Sequence, residues 1–186
     1  MSLIFANDLC SAFTTAVVRS FQKQQLSGYL GRTALQKLVY FSKAIGVPIP
    51  CSFEIYNFGP YSEDISTSVS KLLADEAIED ASLLPAKYSS YKLGPSSEAF
   101  SPTLMKIVDT HMHAIDAVVS ALGSSNPATL ELVATLHFVN AEMKGILGKR
   151  PSRAEVEKRF KSIKGEKFSA SQIQTWYGWL DSTSLL

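Results

Sequence analysis

Three histidines, two cysteines and a run of lysines and arginines near the C-terminus are the side chains in this 186-residue chain best suited to chemistry. His111 and His113 stand two apart in a helical pattern, so they point to different faces and cannot share a metal ion. Asp109, His113 and Asp116 do fall on one helical face, and that spacing suits a solvated ion pair better than a metal site. His137 lies in an apolar run, where a core histidine making one hydrogen bond is expected. Cys10 and Cys51 are far apart and in no metal-binding spacing, so they read as reduced, buried or half-buried thiols of a cytosolic protein. The chain carries no glycine-rich phosphate loop, no HExxH, no G-x-S-x-G and no Cys–His neighbourhood. Few carboxylates fall in apolar contexts that would raise their pKa for acid–base work. No catalytic residue, metal or cofactor is therefore expected, and the chain reads as a non-enzyme.

The basic run could serve nucleic acid. Lys149, Arg150, Arg153, Lys158, Arg159, Lys161, Lys164 and Lys167 lie close together, but Glu155, Glu157 and Glu166 are interspersed, as on a solvated helix face. Formal net charge is +1, so nothing global points to an acidic ligand. Residues 51–100 hold three lysines against eight acidic residues, which puts the acidic surplus where a recognition helix would lie. That helix carries Glu63, Asp64, Asp75 and Glu76 with only Lys71, whereas phosphate and base-edge contacts need arginine or lysine. A nucleic-acid face, if there is one, is Arg153, Lys158, Arg159, Lys161, Lys164 and Lys167.

The elements that position these residues are mostly helices. A first helix runs from about Asp8 to Gln25 with Leu9, Phe13, Val17 and Phe21 on one face. Thr33 and Gln36 form a capping-box pattern for a second helix, which Gly46 closes. The alternating, aromatic run Phe53–Phe58 predicts a short strand that Gly59-Pro60 stops. Ser62 caps the next helix, with Glu63 and Asp64 opposing its dipole. The stretch to Leu93 predicts a hairpin, and Gly94-Pro95 marks an internal boundary. Ser101-Pro102 and Gly123 bound one long helix; Asn126-Pro127 opens another, apolar nearly all round and ending near Gly145, which should be the central buried helix. Ser152/Glu155 and Ser169/Gln172 are two further capping boxes.

The expected fold is mainly α with a small β hairpin: a winged-helix-like part over residues 1–95, then a helical part over 96–186, the two packed as one compact unit. Leu35-x-x-Leu38-Val-Tyr40-Phe41 parallels Leu132-x-x-Thr135-Leu-His137-Phe138; helical apolar spacing alone often generates such a match, and a second, wingless helix-turn-helix in the second part is the alternative. Hydrophobic residues at 46% and charged residues at 19% fit a packed globular chain. No apolar stretch is long enough to span a membrane and no secretory signal is evident, so a cytoplasmic location and no membrane partner are expected.

Leu35-Gln-Lys-Leu-Val-Tyr-Phe41 followed by Tyr56-Asn-Phe-Gly-Pro-Tyr-Ser62 resembles the Panacea antitoxin domain and the related YwgA-like proteins, many of them phage- or mobile-element-associated. Those families show an L-x-K-L-x-Y-F helix and then a strand ending in Tyr-x-x-Gly-Pro. Leu35, Lys37, Leu38, Tyr40, Phe41, Tyr56, Gly59 and Pro60 fill those places, over roughly residues 30–95. The resemblance implies a protein-interaction role. Panacea domains neutralise toxins by direct contact, and one type is an adapter that delivers its toxin to a protease. The partner is then another protein, a toxin in the antitoxin case, met by Tyr40, Tyr56, Gly59, Pro60 and Tyr61 around the Gly-Pro turn. A DNA-binding winged-helix regulator is the alternative.

One further expectation concerns assembly. Ile173, Trp176, Tyr177 and Leu180 form one stripe of the last helix, with Trp179 about 60° off Trp176. Trp179 should be at least half buried, in the chain's own core or in a homodimer contact.

Overall fold

The computed structural model describes residues 3–82, 88–183 and 185. In chain order these form helices α1 (Leu9–Lys23) and α2 (Arg32–Ala44), strands β1 (Glu54–Tyr56) and β2 (Gly59–Tyr61), helix α3 (Glu63–Ala74), strands β3 (Ile78–Asp80) and β4 (Tyr91–Leu93), and helices α4 (Pro102–Leu122), α5 (Pro127–Leu147), α6 (Arg153–Lys164) and α7 (Ala170–Ser182). The protein is mainly helical with small antiparallel hairpins, as its sequence pattern predicts. β1 pairs with β2, and β3 with β4, each pair as a separate two-stranded sheet. Residues 83–87, which include Pro85 of the expected hairpin, lie outside the described residues.

The predicted strand over 53–58 needs one correction. Gly59-Pro60 does not end it; the chain turns at Asn57-Phe58, and Gly59-Pro60-Tyr61 returns as β2 opposite Tyr56, Ile55 and Glu54. Pro60 is tolerated because a two-stranded ribbon leaves one edge of each strand without a ladder partner.

α5 is the buried axis. Leu130, Leu132, Val133, Ala134, Leu136 and Val139 are all buried, and each fully buried Leu or Val stabilises by about 1.5–3 kcal/mol. α2, α6, α7 and β2 pack around it, while α4 lies along α1 and touches α2. α1 thus packs on α4 and α2 on α5, and the Tyr40 hydroxyl of α2 meets His137 of α5. Residues of both halves share one apolar core. α5 runs to Leu147, beyond the expected stop at Gly145, and Gly148 in the left-handed conformation (φ +64°) ends it.

The helix starts follow their caps. Ser62, Asn126, Ser152 and Ser169 each accept a first-turn N–H, and the last two complete capping boxes with Glu155 and Gln172. Thr33 and Gln36 do not form the expected box. α2 starts at Arg32 after Gly31, and Gln36 is engaged elsewhere. On α7, Ile173, Tyr177 and Leu180 are buried. Trp179 is more than half buried and meets Trp176 edge-on at 5.6 Å, so its burial is met within the chain.

Cys10 and Cys51 are not free thiols: they form a disulfide between the start of α1 and the segment leading into β1, with Cα atoms 6.1 Å apart. The pairing is tertiary and spans 41 residues, so no local spacing announces it. Closing a loop of that length is expected to stabilise the chain by about 2–4 kcal/mol. Urea unfolding with and without a reductant should show that loss; an unchanged midpoint would mean that the native protein does not hold the bond.

Candidate protein-interaction site

The β1–β2 hairpin sits on α2 and α5, and two adjacent residues of α2, Gln36 and Lys37, hold it there. The Gln36 side-chain amide clamps Ser62, its Oε1 accepting from the backbone N–H and its Nε2 donating to the C=O, both at 2.9 Å. Such a pair reproduces what a neighbouring strand would offer. One residue on, the Lys37 Nζ donates to the Pro60 C=O at 2.6 Å. Lys37 is 2% exposed. Burial pulls its pKa down to about 8, Glu131 opposes the shift and Lys164 adds to it, so at neutral pH the ammonium keeps its proton.

Glu131, on α5 and 2% exposed, answers this charge. It pairs with Lys164 at 2.9 Å and with Lys167 at 2.8 Å. Lys164 also donates to the Asn57 C=O in the hairpin turn at 2.9 Å. Three ammonium groups and one carboxylate thus lie under or beside the hairpin, a net positive setting. Gly59 allows the close seating. Its φ is +86°, and a Cβ there would lie 2.6 Å from the Thr135 hydroxyl oxygen and 3.3 Å from the Glu131 C=O.

The five residues expected at a partner surface divide. Gly59 and Pro60 are buried and shape the hairpin. Tyr40 turns inward, its hydroxyl 2.6 Å from His137 Nδ1 and its ring against Phe41, Phe53 and Phe138, so it does not join the other tyrosines at the turn. Burial raises its pKa far above the usual phenol value. Tyr56 is 60% exposed, with its ring centroid 5.6 Å from that of half-buried Tyr61, whose hydroxyl donates to Glu63. Phe58, at the tip of the turn and 59% exposed, completes an aromatic surface, with Lys167 Nζ 5.4 Å from its ring centroid. Phe58 escaped the sequence reading because it was placed at the end of a strand, not at the apex of a hairpin. Beside this surface, between α2, the hairpin and α3, lies a groove of about 470 Å³.

The basic residues of the alternative reading are mostly engaged. Arg153 bonds Glu157 at 2.6 Å and lies over the Tyr177 ring, Arg159 faces Glu142 at 3.7 Å, and Lys164 and Lys167 hold Glu131. Lys158 and Lys161 stand exposed without an ion pair among the described residues.

The histidines fall in ordinary surroundings. His111 packs edge-on against Phe13. Asp116 accepts from the Ser20 hydroxyl at 2.6 Å and pairs with Lys23, not with His113. His137 borders a second cavity with Tyr40, Phe53 and Asn140. Glu142 lines that cavity too, but its carboxylate is the one that faces Arg159. Burial depresses the His137 pKa to about 4, offset in part by a hydrogen bond with the Leu185 backbone. The unfolded chain takes a proton near pH 6.5 and the folded one only near pH 4, so it is the unfolded state that binds more protons between those values. Stability present above pH 6.5 is therefore lost as the pH falls through 4, by on the order of 3 kcal/mol. Urea titrations at pH 7 and 4.5 should show a smaller acid loss in His137→Gln than in the parent; equal losses would place the acid sensitivity in other groups.

Compared with known proteins, the chain matches no family model and no curated sequence.

Proposed function

We propose that the protein is a non-enzymatic interaction module that grips another protein through the β1–β2 hairpin, in the manner of an antitoxin or of an adapter for proteolysis. The observation that carries this reading is the contrast within the hairpin. Tyr56 and Phe58 stand in solvent, each about 60% exposed, while the backbone beneath them is pinned by Gln36, Lys37 and Lys164. Large exposed aromatics gain most when buried by a partner, and a fixed backbone spares the ordering cost of binding. The antitoxin or adapter role comes from the Panacea resemblance, of whose motif residues Lys37 pins the hairpin backbone and Gly59 allows its close seating.

A DNA-binding role draws less support. The first turn of α3 is acidic, and four of the six basic residues proposed for nucleic acid already face carboxylates. No helix is long and apolar enough to cross a membrane among the described residues. A cytoplasmic workplace goes with this reading, although the thiol pool there opposes the Cys10–Cys51 bond. Thiol titration of protein taken from cells reads which form operates.

Co-expression with the products of neighbouring genes tests the proposal. A neighbour that is toxic alone should be neutralised by the parent and not by the double variant Tyr56→Ala/Phe58→Ala. If no neighbour is toxic, or none is rescued, the antitoxin reading fails.

A further inference from the structure

The groove beside the aromatic hairpin has a chemical character of its own. Ile65, Val69 and Leu73 are spaced four apart on α3 and so line it as one stripe. Their exposure rises along the stripe, from buried Ile65 through half-buried Val69 to Leu73 at 37%. A helix face that opens in this way leaves apolar area for something else to cover. Tyr56, Phe58 and Tyr61 form the opposite wall.

The charges lining the groove are all of one sign. Arg32 and Lys37 are its only ionisable side chains apart from the tyrosines, and no Asp or Glu lines it among the described residues. Arg32 is exposed and makes no ion pair among those residues. Glu63, close to Tyr61 in sequence, is held by that residue's hydroxyl. Below the hairpin the single carboxylate of Glu131 faces Lys37, Lys164 and Lys167, which keeps the local field positive.

We infer that this groove receives an extended segment of the partner protein that carries apolar side chains and at least one carboxylate, the apolar side chains on the Val69–Leu73 stripe and the carboxylate at Arg32. A volume of about 470 Å³ takes a few side chains, as an extended segment presents from alternate positions. Arginine offers a planar fork matched to a carboxylate. The inference rests on the interaction-module reading and specifies its partner.

The probe is a random dodecapeptide display library, selected on the full chain. Enriched peptides should combine Leu, Ile, Phe or Trp with Asp or Glu. Labelled copies, followed by fluorescence anisotropy, should bind Arg32→Glu about tenfold or more weakly and Tyr56→Ala more weakly too. Replacing the peptide's acid by Lys should restore binding to Arg32→Glu. Both substituted residues are exposed, so the variants keep the fold, which circular dichroism checks. No enrichment, enriched peptides without an acid, or equal binding to the Arg32→Glu variant would overturn the inference. So would decanoate binding in the groove with no peptide binding, since the occupant would then be a small amphiphile. The two readings fail separately. If a toxic neighbour is neutralised equally by the parent and by Arg32→Glu, and selected peptides do not compete, the groove inference falls while the module stands. If no neighbour is neutralised but acidic peptides bind as described, the antitoxin reading falls and the groove stands.

Discussion

Replacing Glu131 by alanine is expected to lower stability by about 3–5 kcal/mol, the usual cost of leaving a buried ion pair without one partner. Glu131 is 2% exposed, and so is Lys37; the Lys164 side chain is 4% exposed. Without the carboxylate, Lys164 and Lys37 remain as neighbouring buried cations with only carbonyl partners, Asn57 and Pro60. Lys167 is partly exposed and can turn to water, so little of the loss comes from it. The pH response identifies the cause. In the variant Lys37, still facing Lys164 but no longer Glu131, should have its folded-state pKa depressed further below the unfolded 10.5. The unfolded chain then binds more protons between the folded pKa value and 10.5, and stability rises with pH across that window. The gap between parent and variant should therefore narrow from pH 7 to pH 9.5. Urea unfolding at both pH values checks it; a loss below about 1 kcal/mol at pH 7, or a gap independent of pH, would show that the charges are solvated.

That cluster also marks what a single sequence conveys. The basic run at 149–167 reads as a solvated face, and Arg153, Lys158, Arg159 and Lys161 are indeed exposed. Lys164 differs because α6 delivers it, 4% exposed, to a carboxylate on another helix, and Lys167, just beyond α6 and still partly exposed, reaches the same carboxylate. The available signal was Glu131 itself, a lone acid between Leu130 and Leu132 in an apolar helix, which must have a counter-charge. Gln36 shows the reverse: the Thr33–Gln36 spacing fits a capping box, but the hairpin competes for the same amide and wins two bonds to Ser62. Where no distant partner competes, at Ser152 and Ser169, the local pattern is the structure. Helices, their buried faces and the second hairpin were legible because they follow from periodicity and punctuation. The disulfide, the Lys37–Pro60 contact and the inward turn of Tyr40 depend on which elements meet. In the candidate site, Tyr56 and Tyr61 were legible from their place beside Gly59-Pro60, whereas the groove and Phe58 needed the hairpin.

Gly59→Val is expected to destabilise the chain by about 3–5 kcal/mol, from two additive sources. A side chain at φ +86° costs roughly 1–2 kcal/mol for an L residue, and a β-branched one stands at the upper end. The second source is space. The new Cβ would fall 2.6 Å from the Thr135 hydroxyl and 3.3 Å from the Glu131 C=O, and overpacking of this kind costs about 1–3 kcal/mol. The Glu131 C=O belongs to α5 backbone and cannot turn aside. The Thr135 hydroxyl is held by its bond to that same C=O at 2.7 Å. Relief must come from lifting the hairpin, which would stretch the Lys37–Pro60 and Lys164–Asn57 bonds and move Tyr56 and Phe58 from their places. For a chain of this size the loss corresponds to a melting temperature lower by roughly 10 °C. Pairing the change with Thr135→Ala separates the two sources. It removes the 2.6 Å contact and leaves the φ cost, so part of the lost stability should return in the double variant. A double variant no more stable than Gly59→Val would assign the whole effect to backbone strain or to the Glu131 C=O. A Gly59→Val protein as stable as the parent would mean that the hairpin is not seated on α5, and the anchored aromatic surface would lose its foundation.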